Sequence, residues 1–335
     1  MARSGGPTLS DVAEQAQVSL ATASKALNGV PGVRDATRTR VLDAAKELGF
    51  APNLVARNLA RNRSETIGLL TSDMAGRFVL PILMGAEDAF GIDEFSVILS
   101  DARGDAIREQ HHVQLLLSRR VDAFMVVGHD NDPRPPIELP AQVPIIYVYA
   151  PSTSAGHLSI TPDNRQGAGL AVDHLLGIGR RRIAHVTGDP GSTAARERRE
   201  GIEAALGAHG LVAAFETRFG DWTERWGRAA AGLLLEGDPE VDGVVCDSDV
   251  IARGVLEGLQ AQGRSIPGDV AVIGFDNWDV VVDGPVPPLT SIDMDFQNLG
   301  RAAAQHLMAA LRGTAPPTGV IREPCRLVIR GSTIP

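Results

Sequence analysis

A chain of 335 residues, 44% hydrophobic and 4% aromatic, is too long for one ordinary domain and long enough for a small module plus a large body with a real core. No apolar run approaches the ~18 residues of a membrane span, and the opening Met1 to Pro7 lacks the apolar core of a secretory leader, so a soluble cytoplasmic protein without a membrane partner is expected. The net charge of −9 hides a division, because residues 1–63 hold nine Lys and Arg against five acids, +4, which leaves −13 for the rest. A basic head on an acidic body suits a nucleic-acid reader: phosphate neutralisation supplies affinity to the head while the body stays off the duplex.

Thr8-Leu9-Ser10-Asp11 fits a capping box, followed by Val12, Ala13 and Ala16 on one face of a helix reaching about Gln15. Gln17-Val18-Ser19 reads as a tight turn in which Ser19 caps a second helix, Leu20 to Leu27, stopped by Asn28-Gly29. After Val30-Pro31-Gly32, a third helix from about Asp35 to Leu48 puts Val41, Leu42, Ala45 and Leu48 on one stripe and ends at Gly49. Residues 52–61 are helix-compatible but shorter than the ~12–15 residues at which an isolated helix becomes marginal in water, so outside support is needed.

From Thr66 the pattern changes to short β-rich runs alternating with amphipathic helices. Strands are expected at Ile67–Leu70, Val97–Leu99, Phe124–Val127, Ile145–Val148, Ile183–Val186, Val244–Cys246 and Val270–Ile273. Helical stretches such as 79–90, 106–118, 165–177, 195–208, 224–236 and 249–262 lie between them. Alternation at this spacing means parallel sheets with helices on both faces, and two such sheets make two lobes with a cleft at the carboxyl ends of the strands. Cys246 and Cys325 lack metal-ligand spacing and read as buried apolar fillers. Arg180-Arg181-Arg182, just before a strand, reads as a solvated helix end.

The stretch Thr8 to Leu70 resembles the head of the LacI family of transcriptional regulators. The motifs run in the family's order: Thr8-Leu9-Ser10-Asp11-Val12-Ala13, Val18 to Gly29, Leu48-Gly49-Phe50-Ala51-Pro52-Asn53 and Ile67-Gly68-Leu69. Leu115 to Asp122, His174 to Ala184, Ile273-Gly274-Phe275-Asp276 and Pro287 to Ile292 extend the likeness through a periplasmic-binding-protein-like body. The resemblance implies an all-α helix-turn-helix head (1–51), a hinge helix and linker (52–65) and an effector-binding α/β body of two doubly wound parallel-sheet lobes (66–335). The N-lobe is expected over about 66–163 and 293–322, and the C-lobe over about 164–292 and 323–335.

On this likeness, the second helix enters the major groove of a palindromic double-stranded operator. Leu20 and Ala21 meet thymine methyls, Thr22 meets a base or a phosphate, and Lys25 donates to guanine. Thr8, Ser19, Ser24, Asn28 and Asn53 complete the DNA-binding set, with caps and turns as the alternative role for Ser24 and Asn28. Lys25 stands where Arg is usual, Gln17 where a turn Gly is common and Arg34 where a Ser cap is common. The hinge implies a minor-groove wedge at Leu59 and close approach of paired helices at Ala56.

For the effector the resemblance implies Arg198 as a hydroxyl or carboxylate grip, Asp276 as acceptor for adjacent hydroxyls, and Trp222 and Phe78 as packing surfaces. Asp249 belongs to the same set or caps the helix it begins. Tyr149 replaces a frequent Asp, Ser248 a frequent Asn and Met294 a frequent polar residue, leaving a glycoside, a disaccharide or a less hydroxylated metabolite open. The expected function is a repressor-type regulator working as a homodimer, since no Leu heptad tail follows Arg330. Release by an inducer is the commoner behaviour in the family, and a corepressor-dependent member would look the same in sequence. No catalytic set, metal site or cofactor is expected, and the sequence lacks the familiar hydrolase, zincin and Walker motifs. The alternative is a solute-binding protein of a transport system, which the body alone would suit.

Overall fold

The computed structural model describes residues 7–50, 64–72, 74, 76–91, 95–214 and 216–334. The expected hinge, with Asn53, Ala56 and Leu59, lies outside the described residues. The chain divides into two compact units, Met1–Ser64 and Glu65–Pro335.

Among the described residues the first unit has three helices, α1 (Leu9–Gln15), α2 (Leu20–Leu27) and α3 (Asp35–Leu48), around a core of Val12, Ala13, Ala16, Ala23, Ala26, Val41, Ala44 and Ala45. Alanine dominates because the two short helices approach closely. The capping box is formed: the Asp11 carboxylate accepts from Thr8 N–H at 2.7 Å, and Thr8 Oγ1 accepts from Asp11 N–H at 3.4 Å. Gln17 takes a left-handed φ of 51°, so the turn that commonly uses glycine is made here by a residue with a Cβ. Arg40 Nε donates to the Ala16 carbonyl at 2.9 Å and holds that turn from α3. Arg34 caps α3 without a side-chain hydrogen bond, whereas Gly49, at φ 65°, closes it.

The body holds two sheets. The first comprises β1 (Thr66–Thr71), β2 (Ser96–Asp101), β3 (Ala123–Val127), β4 (Ile145–Val148), β5 (Leu158–Pro162) and β10 (Gly319–Glu323). Its order is β10-β5-β4-β3-β1-β2, parallel throughout. The second comprises β6 (Ile183–Val186), β7 (Gly243–Cys246), β8 (Ala271–Phe275), β9 (Thr290–Asp293) and β11 (Arg326–Val328). Its order is β11-β9-β8-β7-β6, with only β11 antiparallel. The chain crosses between sheets three times: after β5, after β9 and between β10 and β11.

Residue alternation explains why helices cover both faces. Ile67, Leu69, Met125, Val127, Ile146 and Val148 face one core, while Leu70, Phe124, Val126 and Tyr147 face another beneath α5 (Ala106–Ser118). The larger core also packs α4 (Val79–Phe90) and α11 (Phe296–Leu311), and it runs into the second sheet through Tyr149, Phe296, Met294 and Phe275. The remaining helices, α6 (Asn164–Gly177), α7 (Thr193–Ala208), α8 (Glu224–Gly237), α9 (Asp249–Ala261) and the short α10 (Asp279–Val282), flank the second sheet.

Strands β5, β9, β10 and β11 go beyond the seven expected runs. Buried Ser and Thr obscure the apolar signal of the first two, and the structure satisfies them from a distance: Ser159 Oγ accepts from Ser152 N–H at 3.0 Å, and Thr290 Oγ1 donates to the Arg330 carbonyl at 3.0 Å. The Arg180–Arg182 cluster is more than a solvated helix end. Arg180 donates to the carbonyls of Pro267, Gly268 and Asp269, and Arg182 pairs with Asp238, so the cluster ties loops together. Cys246 and Cys325 are buried free thiols.

Candidate functional site

In the first unit, α2 buries Ala23 and Ala26 and turns Leu20, Ala21, Lys25 and Asn28 outward. Leu20 is 54% exposed at the helix N-terminus, an apolar side chain offered to solvent where packing gives it no role. Ser19 Oγ accepts from Thr22 N–H at 3.1 Å and meets Thr22 Oγ1 at 2.8 Å, so these two hydroxyls brace each other. Asn28 Nδ2 donates to the Ser24 carbonyl at 2.8 Å, closing the last turn.

In the body, Phe78, Tyr149, Ser248, Asp249, Asp276 and Met294 follow strands of both sheets, at the carboxyl ends where open α/β sheets place ligands, whereas Arg198 lies on α7 and Trp222 in the loop before α8. Phe78 follows β1, the strand at which the first sheet reverses its order. It meets Tyr149, after β4, at 4.8 Å between ring centroids, and Phe296 at 4.8 Å. Tyr149 is buried at a left-handed φ of 72°, and burial pushes its phenol well above the usual range. The first sheet's side is therefore an aromatic cluster.

The second sheet's side centres on Arg198 of α7, which is 2% exposed. Its Nε donates to Asn164 Oδ1 at 2.9 Å, Nη1 donates to the Asp247 carbonyl, and Nη2 lies 3.3 Å from Met294 Sδ. The guanidinium stacks 3.7 Å from the Phe275 ring centroid. Asn164 in turn donates to Glu197 at 3.0 Å, which fixes the amide that orients the arginine. Met294 is thus part of the arginine's seat.

Asp276 follows β8 at φ 105°, a conformation that non-glycine residues seldom adopt, with Asn277 next at φ 51°. Three contacts impose this turn. Asp276 N–H donates to the Ile292 carbonyl at 2.8 Å, Asn277 N–H to Ser291 Oγ at 3.0 Å, and Trp278 N–H to Asp249 Oδ2 at 2.8 Å. Ser291 Oγ also donates to Asp249 Oδ1 at 2.5 Å. Asp249 therefore frames the turn, and the cap of α9 is made by Ser248, whose Oγ accepts from Ile251 N–H at 3.2 Å. Trp222 is 37% exposed and lies over Gly188, where any side chain would collide with its ring.

Arg77 escaped the sequence reading. It ion-pairs with Asp276 from the other lobe and stacks near Phe78 and Trp278, 4.8 and 5.1 Å from their centroids. The available signal was its position after β1, at the reversal of strand order. His185 on β6 was also missed; its Nε2 lies 2.9 Å from the buried Asp247, behind the carbonyl that holds Arg198.

Burial and the neighbouring Asp276 raise the Asp249 carboxyl to about 8, far above its ordinary 3.8. The folded chain then keeps a proton that the unfolded chain releases, so this group lowers stability as pH rises from 3.8 to about 8. For one such proton the slope reaches about 1.4 kcal/mol per pH unit. In urea titrations at pH 5 and pH 7.5, Asp249→Asn should lose less stability on going to the higher pH than the parent does. Equal losses would show that Asp249 is ionised throughout.

Among the described residues, no helix is long and apolar enough to cross a membrane, and no His, Cys, Asp and Glu cluster could hold a metal. Residues 8–53 match the model of bacterial regulatory proteins of the lacI family, and residues 172–333 match a periplasmic binding protein-like domain. The chain is 34% identical to the HTH-type transcriptional regulator CelR of Thermobifida fusca, over 98% of this chain and 97% of that protein. Catabolite control protein A of Priestia megaterium is 31% identical, over 97% and 99%. The solved CelR–cellobiose complex aligns at 29% identity with a TM-score of 0.66, covering 97% of this chain and 99% of that one. The lac repressor dimer bound to operator and the anti-inducer ONPF aligns at 27% identity with a TM-score of 0.76, covering 99% and 100%.

Proposed function

We propose, for a chain that belongs to the LacI family of bacterial regulatory proteins, that a sugar held between the two lobes of the body controls operator binding by the head. The observation that carries this reading is the convergence of Arg198 with Asp276, Phe78 and Tyr149, which follow strands of both sheets. Asp276 accepts from adjacent ring hydroxyls, Arg198 supplies the N–H groups its seat leaves free, and Phe78, Tyr149 and Trp222 present apolar faces to the ring. Met294, Ser248 and Asp249 hold these groups in place. The sugar class follows from cellobiose in the CelR complex.

The protein is a DNA-binding transcriptional regulator, a repressor in the manner of its relatives. Leu20, Ala21, Thr22 and Lys25 read base edges from α2, with Thr8, Ser19, Ser24 and Asn28 set toward phosphates. Asn53, Ala56 and Leu59 of the hinge extend the contact into the minor groove. It works as a homodimer, as the lac repressor does on its operator, and the exposed Leu80 and Met84, one turn apart on α4, supply apolar area for pairing. It acts in the cytoplasm and binds its ligand without transforming it. The transport reading is not favoured, because full-length relatives are regulators and the head matches the family model.

The test is a titration of cellobiose and a panel of other mono- and disaccharides into the protein on an operator selected by the protein from random DNA. At least one sugar should change operator affinity roughly 5- to 150-fold, the usual span of coupled sites. Constant affinity across the panel would refute sugar control, and failure to select any DNA would refute the head assignment. In the same assay Leu59→Ala should weaken operator binding; unchanged affinity would remove the wedge.

A further inference from the structure

The effector acceptor Asp276 is already engaged, and its partner comes from the other lobe. Arg77 follows β1 in the first sheet's lobe, whereas Asp276 and Trp278 follow β8 in the second. The guanidinium lies near the rings of Phe78 on its own side and Trp278 on the opposite side, at 4.8 and 5.1 Å. Cation–π contact and ion pairing thus both cross the cleft. Arg77 Nε is buried and finds no acceptor among the described residues. A buried donor of this kind can still accept a partner. Asp276, the expected acceptor for ligand hydroxyls, is thus occupied by a protein side chain from the other lobe.

We propose that Arg77 is an internal competitor for the effector subsite: it latches the two lobes through Asp276 and Trp278, and a ligand must displace it to reach Asp276. The effector part of this inference rests on the sugar reading above; the latch itself does not. Two consequences follow. The unliganded body favours a closed cleft, and apparent affinity for a neutral polyol is reduced by the fraction of molecules in which the latch is shut. Arg77 also selects ligands, because a displaced guanidinium retains its charge and an unmet Nε donor. A ligand that brings ring or glycosidic oxygens to Arg77 along with vicinal hydroxyls to Asp276 satisfies both partners. An apolar ligand of equal size leaves both unpaired.

The latch is tested without any ligand. Spin labels on cysteines introduced at Ile107 and Val212, which are 84% and 85% exposed and lie on opposite lobes, report the lobe separation in the full chain diluted with unlabelled protein. The native Cys246 and Cys325 are buried and escape labelling. The parent should give one narrow distance. Arg77→Ala and Asp276→Asn should each broaden it toward longer separations, and the double variant should match either single one, since both changes cut one link. An unchanged distribution in both single variants, or additive effects in the double, would overturn the latch. Asp276→Asn is nearly isosteric and Arg77 is partly exposed, so neither change threatens folding.

The competition is tested with cellobiose as the probe, by calorimetry. Arg77→Ala should bind it roughly three- to tenfold more tightly than the parent. Weaker binding by Arg77→Ala would mean that Arg77 holds the ligand more than it blocks it, and would refute competition. If neither protein binds any sugar of the panel while the distance change is seen, the sugar reading fails and the latch stands.

Discussion

Arg198→Ala should abolish the sugar-dependent change in operator affinity and lower the stability of the body by about 4 kcal/mol. The reason lies in what the guanidinium leaves behind. Asn164 Oδ1 and the Asp247 carbonyl lose their donors in a buried site, at about 1–3 kcal/mol each, and the Phe275 face loses its cation. Glu197, held by Asn164 and by Arg165 at 3.0 Å, then shares its pocket with an amide free to turn. Arg198→Lys separates the roles. It keeps the charge, cannot make the fork to Asn164 and Asp247 together, and should recover part of the stability with little of the response. Urea unfolding and the operator titration read the two quantities. A full sugar response in Arg198→Ala would remove this residue from the site.

Gly300→Ala should destabilise the body by about 3 kcal/mol. Helices α4 and α11 cross at two glycines: a Cβ on Gly300 would run into the Ile82 backbone carbonyl, and one on Gly85 into that of Gln297. Backbone cannot rotate away as a flexible side chain can, so the helices must separate. Their separation moves Phe296, which packs on Phe78 and Tyr149 at 4.8 and 5.2 Å, and Met294, which seats Arg198. The lesion should therefore reach the cleft. Gly169→Ala is the contrast. Its Cβ meets nothing within 4 Å, and removing glycine from a helix interior should stabilise by about 0.5–1 kcal/mol. In hydrogen exchange, Gly300→Ala should lose protection in α4 and α11 and keep it in α1 to α3, which form a separate unit. A midpoint equal to the parent's would mean that the crossing can open without cost.

The head was legible because its determinants are local. Thr8 with Asp11, Ser19 with Thr22, and Gly49 lie within one turn of the backbone groups they satisfy, so residue type and spacing state the helix ends directly. The two sheets, parallel but for β11, were likewise readable from the alternation of apolar runs and amphipathic helices. Legibility ended at strands whose polar residues are satisfied from far away, as Thr290 is by Arg330 and Thr333.

By itself the sequence determined three helices with their caps, the alternating plan of the body, the family likeness and the types of group offered to a ligand. The tertiary structure alone decided which of those groups meet. It seated Arg198 on Phe275 and Met294, gave Asp249 to the turn before Trp278, and set Arg77 against Asp276, 199 residues away. The physical reason is range. Capping and periodicity act within a few residues, whereas the cleft exists only where three crossings bring the strand ends of two sheets together.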